Sequence, residues 1–157
     1  MYQIQKATPE HLDEIASLWV KLMNLHKEFD ADFFADTDSF VDEYKMNLDW
    51  YLRDTTNVIF IAKSKNRIIG YITAGISWFK YSNYNSNNYC IIGDIMIDKK
   101  YRQLGIGKTF IEEIKKWAKS ESTHKIVLDV FSKNTKALNF FKNQGFKDNF
   151  NNLILEF

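Results

Sequence analysis

The sequence predicts a mixed α/β domain, and two features do most to predict it. Short apolar runs of strand character, as at residues 58–63 and 90–97, alternate with longer stretches of helical periodicity, as at residues 12–23 and 110–118. Their order is β-α-α-β-β-β-α-β-α-β(β), without repeats or linkers. A central mixed sheet of six to seven strands flanked by about four helices is expected, as a single domain over residues 1–157.

The elements follow in order. Residues 2–6 alternate and read as an edge strand. Thr8-Pro9-Glu10 marks a helix start, with Thr8 as N-cap, Pro9 at the first helical position and an acid in the first turn. Leu12, Ile15, Ala16, Trp19, Leu22 and Met23 form its apolar stripe, which His26 extends either as a packing residue or as a proton handler. A second helix is expected over residues 38–53, then two strands over 58–63 and 67–78 joined by a tight turn at Ser64-Lys65-Asn66. A polar, Asn-rich loop (82–88) precedes a strand over 90–97. The next helix has Phe110, Ile111, Ile114, Trp117 and Ala118 on one face and charged residues on the other. A strand over 125–131 follows, then a short helix from Asn134 that stops before Gly145 as C-cap, and one or two closing strands in residues 146–157.

Composition narrows the function classes. A net charge of +1 gives no support for nucleic-acid binding. The single cysteine, Cys90, excludes a disulfide framework and fits a reducing, cytoplasmic setting; opening an apolar run, it reads as a buried packing residue. No secretory signal and no membrane-spanning run is legible, so a soluble protein is expected. Aromatics make up 16% of the chain, enough for some to line a pocket.

The most informative segment runs from the strand at 90–97 through Arg102-Gln103-Leu104-Gly105-Ile106-Gly107-Lys108-Thr109 into the amphipathic helix. Glycines at 105 and 107 permit close backbone approach and torsions that a Cβ forbids. The first N–H groups of the helix lack intrahelical partners, and its dipole favours an anion there. Together these suggest a pyrophosphate site, with Arg102 and Lys108 adding positive charge. Gly107-Lys108-Thr109 matches the end of a Walker A motif, but Arg102 stands where its first glycine belongs; the dinucleotide fingerprint fails at Phe110.

Arg102-x-x-Gly105-x-Gly107 resembles the pyrophosphate signature of the GNAT acetyltransferases. Asp94-Ile95-Met96-Ile97 resembles the preceding strand, and Asn134-x-x-Ala137-x-x-Phe140-Phe141-x-x-x-Gly145-Phe146 the C-terminal motif, so the likeness covers about residues 58–146. It implies the GNAT fold and acetyl-CoA as co-substrate, without a metal. Backbone amides of Gln103, Leu104, Gly105, Ile106, Gly107 and Lys108, beside Arg102, would hold the pyrophosphate. Ile95, Met96 and Ile97 would pair with the pantetheine arm like an added strand. Asn134 would hydrogen-bond that arm, lined by Ala137 and Phe140, and Lys99, Lys100, Lys133 and Lys136 are either phosphate contacts or solvated surface residues.

Acetyl transfer to an amine needs a neutral amine, a stabilised oxyanion and a proton for the departing thiolate. Asp94, a carboxylate in an apolar run, is the candidate base or substrate anchor, with a structural salt bridge as the competing reading. Gly93 stands where polyamine-type relatives carry glutamate, and Phe141 where the usual tyrosine acid falls, so water, His26, Tyr84 or Tyr89 would have to substitute. Seven acids and no Lys or Arg lie between Glu28 and Glu43, interleaved with Phe29, Phe33, Phe34 and Phe40. In the family this segment walls the acceptor, so Glu28, Asp32 and Phe33, with Trp78 opposite, are expected to attract a small cationic amine: a polyamine, an aminoglycoside-like sugar or an amino-acid amine. The alternative is a solvated acidic loop. Trp78, Phe79, Tyr81 and Tyr84 are also candidates for a homodimer contact. Competing functions are a non-catalytic CoA-sensing domain, a protein Lys or N-terminal acetyltransferase, and a small NTPase.

Overall fold

The computed structural model describes residues 1–32, 37–78, 88–149 and 152–155. Among them five strands form one sheet in the order β1 (Gln3–Lys6), β2 (Asn57–Ser64), β3 (Arg67–Trp78), β4 (Asn88–Ile97) and β5 (Ile126–Val127). The first three junctions are antiparallel and the last is parallel. Lys65 closes the β2–β3 turn in the left-handed conformation, φ 55°, a torsion suited to a two-residue hairpin.

Helices cover the two faces as their apolar stripes require. α1 (Leu12–Lys27) and α2 (Val41–Arg53) set Ile15, Leu18, Leu22 and Leu48 against Ile59, Ile61, Ile68, Tyr71 and Met96. On the other face α3 (Ile106–Ser120) sets Phe110, Ile111, Ile114 and Trp117 against Phe60, Ile72, Cys90 and Ile92, and α4 (Thr135–Asn143) adds Phe141. A single 3-10 turn, Pro9–His11, precedes α1, and the Thr8 amide donates to His11 Nδ1 at 3.0 Å. Asn134 caps α4 by accepting from the Ala137 amide at 3.2 Å, and Gly145 ends it at φ 93°.

Two sequence expectations are corrected. The strand expected over 125–131 pairs only at Cys90 with Ile126 and Ile91 with Val127, so β4 runs on to Ile97 beyond its parallel neighbour. Residues 146–149 and 152–155 contain no strand, which leaves five strands among the described residues rather than six to seven. Leu153, Ile154 and Leu155 are exposed there (90%, 72% and 85%), so no buried face fixes a pairing register for them.

One irregularity determines the rest. Ile72 pairs with Ile95 and Ala74 with Ile92, so Thr73 alone opposes both Gly93 and Asp94, a β-bulge on β4. Before it Cys90 and Ile92 face α3; after it Ile95 and Ile97 do, and Met96 faces α1 and α2. Uninterrupted alternation from Ile92 would drive Asp94 into the α3 core. The bulge turns it to the α1–α2 face.

Candidate active site

On that face Asp94 bonds to side chains of two other elements, with a third packed behind them. Tyr44 of α2 donates its hydroxyl to Asp94 Oδ2 at 2.7 Å, and the Tyr71 hydroxyl of β3 lies 3.1 Å from that of Tyr44. A phenol has one proton, so with the carboxylate ionised Tyr44 donates to Asp94 and receives its second bond from Tyr71. The Tyr44 ring stacks on Trp19 of α1, centroids 4.3 Å apart and planes within 10°. The Asp94 amide donates to Thr73 Oγ1 at 2.8 Å, which pins the bulge. Among the described residues no salt bridge reaches Asp94.

Burial pushes the Asp94 carboxyl above its ordinary range, opposed by the Tyr44 hydrogen bond and by the charge of His26. Burial pushes His26 down, opposed by Asp94. Tyr44 and Tyr71 are both driven up, again first by burial, and remain neutral donors. A carboxylate reluctant to ionise yet anchored by a hydroxyl is what a general base requires.

Beyond β4, Asp98 caps the turn Lys99–Tyr101 through the Lys100 amide (3.1 Å) and is paired with Lys21 at 2.8 Å. Arg102 Nε donates to the Ile97 carbonyl at 3.0 Å, tying the loop to the strand end. Gly105, the α3 N-cap, has φ 83°, a torsion that L side chains disfavour. The first helical bond is Thr109 N to Gly105 O at 3.0 Å, so the amides of Ile106, Gly107 and Lys108 have no partner within the helix. Gln103, Leu104, Gly105 and Lys108 are exposed around them, while Ile106 and Gly107 are buried. Gly107 serves packing: a Cβ there would stand 2.8 Å from Cζ of Phe140. Tyr2, just before β1, reaches Thr109 Oγ1 at 2.9 Å and steadies this first turn.

The remaining sequence candidates fall into two groups. Ile95, Met96 and Ile97 line the stretch of β4 that outruns β5, and Ile95 and Ile97 share their core face with Ala137 and Phe140. The Asn134 oxygen is occupied as the α4 cap. Phe141 is buried between Phe140 and Phe146 (centroids 5.1 and 5.6 Å), an apolar ring without a proton to give. Glu28 and Asp32 are exposed, and neither is brought to Asp94 by any hydrogen bond or ion pair. Phe29 instead packs on Phe131 (6.1 Å), as does His26 (5.4 Å), and Lys133 donates to the Phe29 carbonyl at 2.9 Å rather than standing free. Phe33, Phe34, Asp36, Phe79, Tyr81 and Tyr84 lie outside the described residues; for Trp78 only the backbone, paired with Asn88, is described. The Cys90 thiol is pushed up to about 12 by burial, so it remains a packing group.

Tyr44, Tyr71 and Thr73 are site residues that sequence reasoning missed. A signal for Tyr44 did exist: it falls on the apolar stripe of α2 with Val41, Leu48 and Tyr51, where a hydroxyl must find a buried partner. Among the described residues no group of three His, Cys, Asp or Glu is arranged to hold a metal, and no helix is long and apolar enough to cross a membrane.

A strand that outruns its parallel neighbour and leads into a Gly-capped helix start invites comparison with known proteins. The model of the acetyltransferase (GNAT) family matches residues 19–146. An uncharacterized N-acetyltransferase of Methanocaldococcus jannaschii is 23% identical over 147 residues, 94% of this chain and 61% of the relative. The chain spans about half to three fifths of the length of the curated relatives it matches. The tetramutant of the BH1408 protein of Bacillus halodurans shares the fold with a TM-score of 0.90 at 19% identity, covering 99% of each chain. AAC(6')-Iy in complex with a bisubstrate analogue of CoA and acetylneamine superposes with a TM-score of 0.76 at 18% identity, over 99% of this chain and 97% of that one. The chain belongs to the acetyltransferase (GNAT) family.

Proposed function

We propose that this chain transfers the acetyl group of acetyl-CoA directly to the primary amine of a small cationic acceptor. The observation that supports it most is the bulge: it sets a half-buried carboxylate, Asp94, at the root of the β4 segment that outruns β5, on the strand that leads to the α3 start.

In this reading the amides of Ile106, Gly107 and Lys108 bind the pyrophosphate, and the backbone of Ile95, Met96 and Ile97 orients the pantetheine arm. Bound acetyl-CoA supplies the activated thioester. The acceptor arrives as an ammonium, with a pKa near ~10 for an aliphatic amine. Asp94 takes its proton, and the Tyr44 hydroxyl keeps the carboxylate aimed while it does so. The amine nitrogen then forms the amide C–N bond as the C–S bond breaks, and a strand amide beyond Asp94 stabilises the transient negative charge on oxygen. Phe141 offers no proton, so the proton that the nitrogen sheds on becoming an amide passes through water to the departing thiolate.

AAC(6')-Iy, whose complex carries an acetylated neamine analogue, supports an amine-bearing small molecule as the acceptor class. A thiol-release assay with acetyl-CoA and a panel of polyamines, aminoglycosides and amino-acid amines tests the proposal. Release that depends on both acetyl-CoA and an amine is expected. Acetyl-CoA binding with no release for any amine would favour a CoA-sensing domain.

A further inference from the structure

The bulge that presents Asp94 also borders a cavity. About 260 Å³ in volume, it is lined by Tyr51, Asn57, Gly75, Ser77, Ile91 and Gly93, the last adjoining Asp94. Helix α2 spans the two places, since Tyr44 stands over Asp94 and Tyr51 over the cavity, seven residues along the same helix face and so about 10 Å apart.

The cavity exists because its floor lacks side chains. A Cβ on Gly75 would collide with the Asn57 amide oxygen and stand 2.8 Å from the Tyr51 hydroxyl; one on Gly93 would stand 2.8 Å from Thr73 Oγ1. Its polar groups, the Tyr51 and Ser77 hydroxyls and the Asn57 amide, are all uncharged. Burial pushes the Tyr51 phenol up, which keeps it a neutral donor. Asp54, whose charge Tyr51 also senses, is exposed and already accepts from Thr56 N (2.9 Å) and Oγ1 (2.7 Å). Such a lining satisfies hydroxyl and amide groups but, among the described residues, gives a second cation no counter-charge in exchange for its water. The volume falls below the roughly 300–1,000 Å³ of drug-sized sites, and suits a tail of monosaccharide or amino-acid size.

We propose that this cavity is the acceptor's tail subsite, selecting a primary amine that bears neutral hydroxyl or amide groups within about 10 Å of its nitrogen over a diamine or polyamine. The inference rests on Asp94 receiving the reacting amine.

Calorimetry on the protein saturated with CoA tests it, using glucosamine and alaninamide as the hydroxyl and amide probes, 1,4-diaminobutane as the dication and butylamine as the tailless control. At least one polar-tailed amine is expected to bind about tenfold tighter than both others. Asn57→Leu should erase that advantage while leaving butylamine within about twofold, and Asn57→Asp should turn the preference toward diaminobutane. Should Asn57→Leu fail a thermal-melt check, Ser77→Ala gives the same comparison. Tighter binding of diaminobutane to the unmodified protein, no binding of either polar-tailed amine, or an equal loss for every amine in the variant would overturn the proposal. Thiol release, read in parallel, separates the two ideas. Tail-selective binding without transfer sinks the transferase reading and keeps the subsite, whereas transfer without tail selectivity sinks the subsite alone.

Discussion

The two ends of the site solve different problems with different material. From Ile95 through Gly105 to Lys108 the structure offers main chain: a strand without its parallel neighbour, a left-handed glycine and three helix amides without helical partners. Around Asp94 it offers side chains from three elements, with Tyr44 from α2, Tyr71 and Thr73 from β3 and Trp19 from α1. A main-chain site depends on torsions and therefore on where glycine sits. A side-chain site depends on packing, and tolerates no change in the elements that deliver each group. Substitutions at the two ends should therefore fail in different ways.

The largest effect is expected for Gly105→Glu. The added side chain strains a φ of 83° and sets a carboxylate against the bound diphosphate, so acetyl-CoA affinity measured by calorimetry should fall by about 100-fold or more. Affinity within threefold of the parent would break the main-chain assignment. Asp94→Asn should lower turnover by about 10²–10⁴-fold with acetyl-CoA affinity nearly unchanged, because it removes a base and leaves the amides alone. Equal losses in both quantities would erase the distinction between the two ends.

Gly107→Ala sharpens the contrast within the glycine pair. Its Cβ would press on the Phe140 ring at 2.8 Å, so overpacking should cost about 1–3 kcal/mol in urea unfolding. Smaller still is the effect of Tyr44→Phe. The Tyr44 hydroxyl favours the ionised form of Asp94, so its removal raises the Asp94 pKa further and moves the acid limb of the kcat/KM profile to higher pH. Turnover on the plateau should change by only several-fold, on the order of one lost hydrogen bond; an unmoved limb would detach Tyr44 from the reaction. The same linkage reaches stability. Burial raises the folded-state pKa of Asp94, so between its unfolded value near 3.8 and that raised value the native state holds the extra proton, and stability falls as pH rises through this window. Asp94→Asn should therefore melt higher than the parent at pH 7, and the difference should vanish at pH 3.

This contrast also explains what was legible in the sequence. The main-chain end is written in consecutive letters, with Arg102, Gly105 and Gly107 in one short span, and helix α3 begins where the glycines imply. The element order through α4 was readable because each apolar period is local. Asp94 stood out as a charge in an apolar run, but its direction did not: alternation counted from Ile92 points it into the α3 core, and only the pairing of Thr73 with two residues turns it outward. Tyr44, Tyr71 and Thr73 are 50 to 21 residues away from Asp94 in sequence, and nothing local links them to it. The length of β5 was overestimated for a related reason. Apolar residues after Val127 look like strand, yet Leu128 packs on the α3-side core and Phe131 on Phe29 and His26 without joining the ladder.

Amide hydrogen exchange with and without saturating acetyl-CoA tests the central claim most directly, because it reads main-chain protection along β4 beyond Asp94 and at the start of α3 at once. Slowed exchange at Ile95, Met96 and Ile97 and at Ile106, Gly107 and Lys108, with the edge strand β1 unchanged, is the expected result. Saturated binding that leaves those six amides exchanging at their original rates would contradict it.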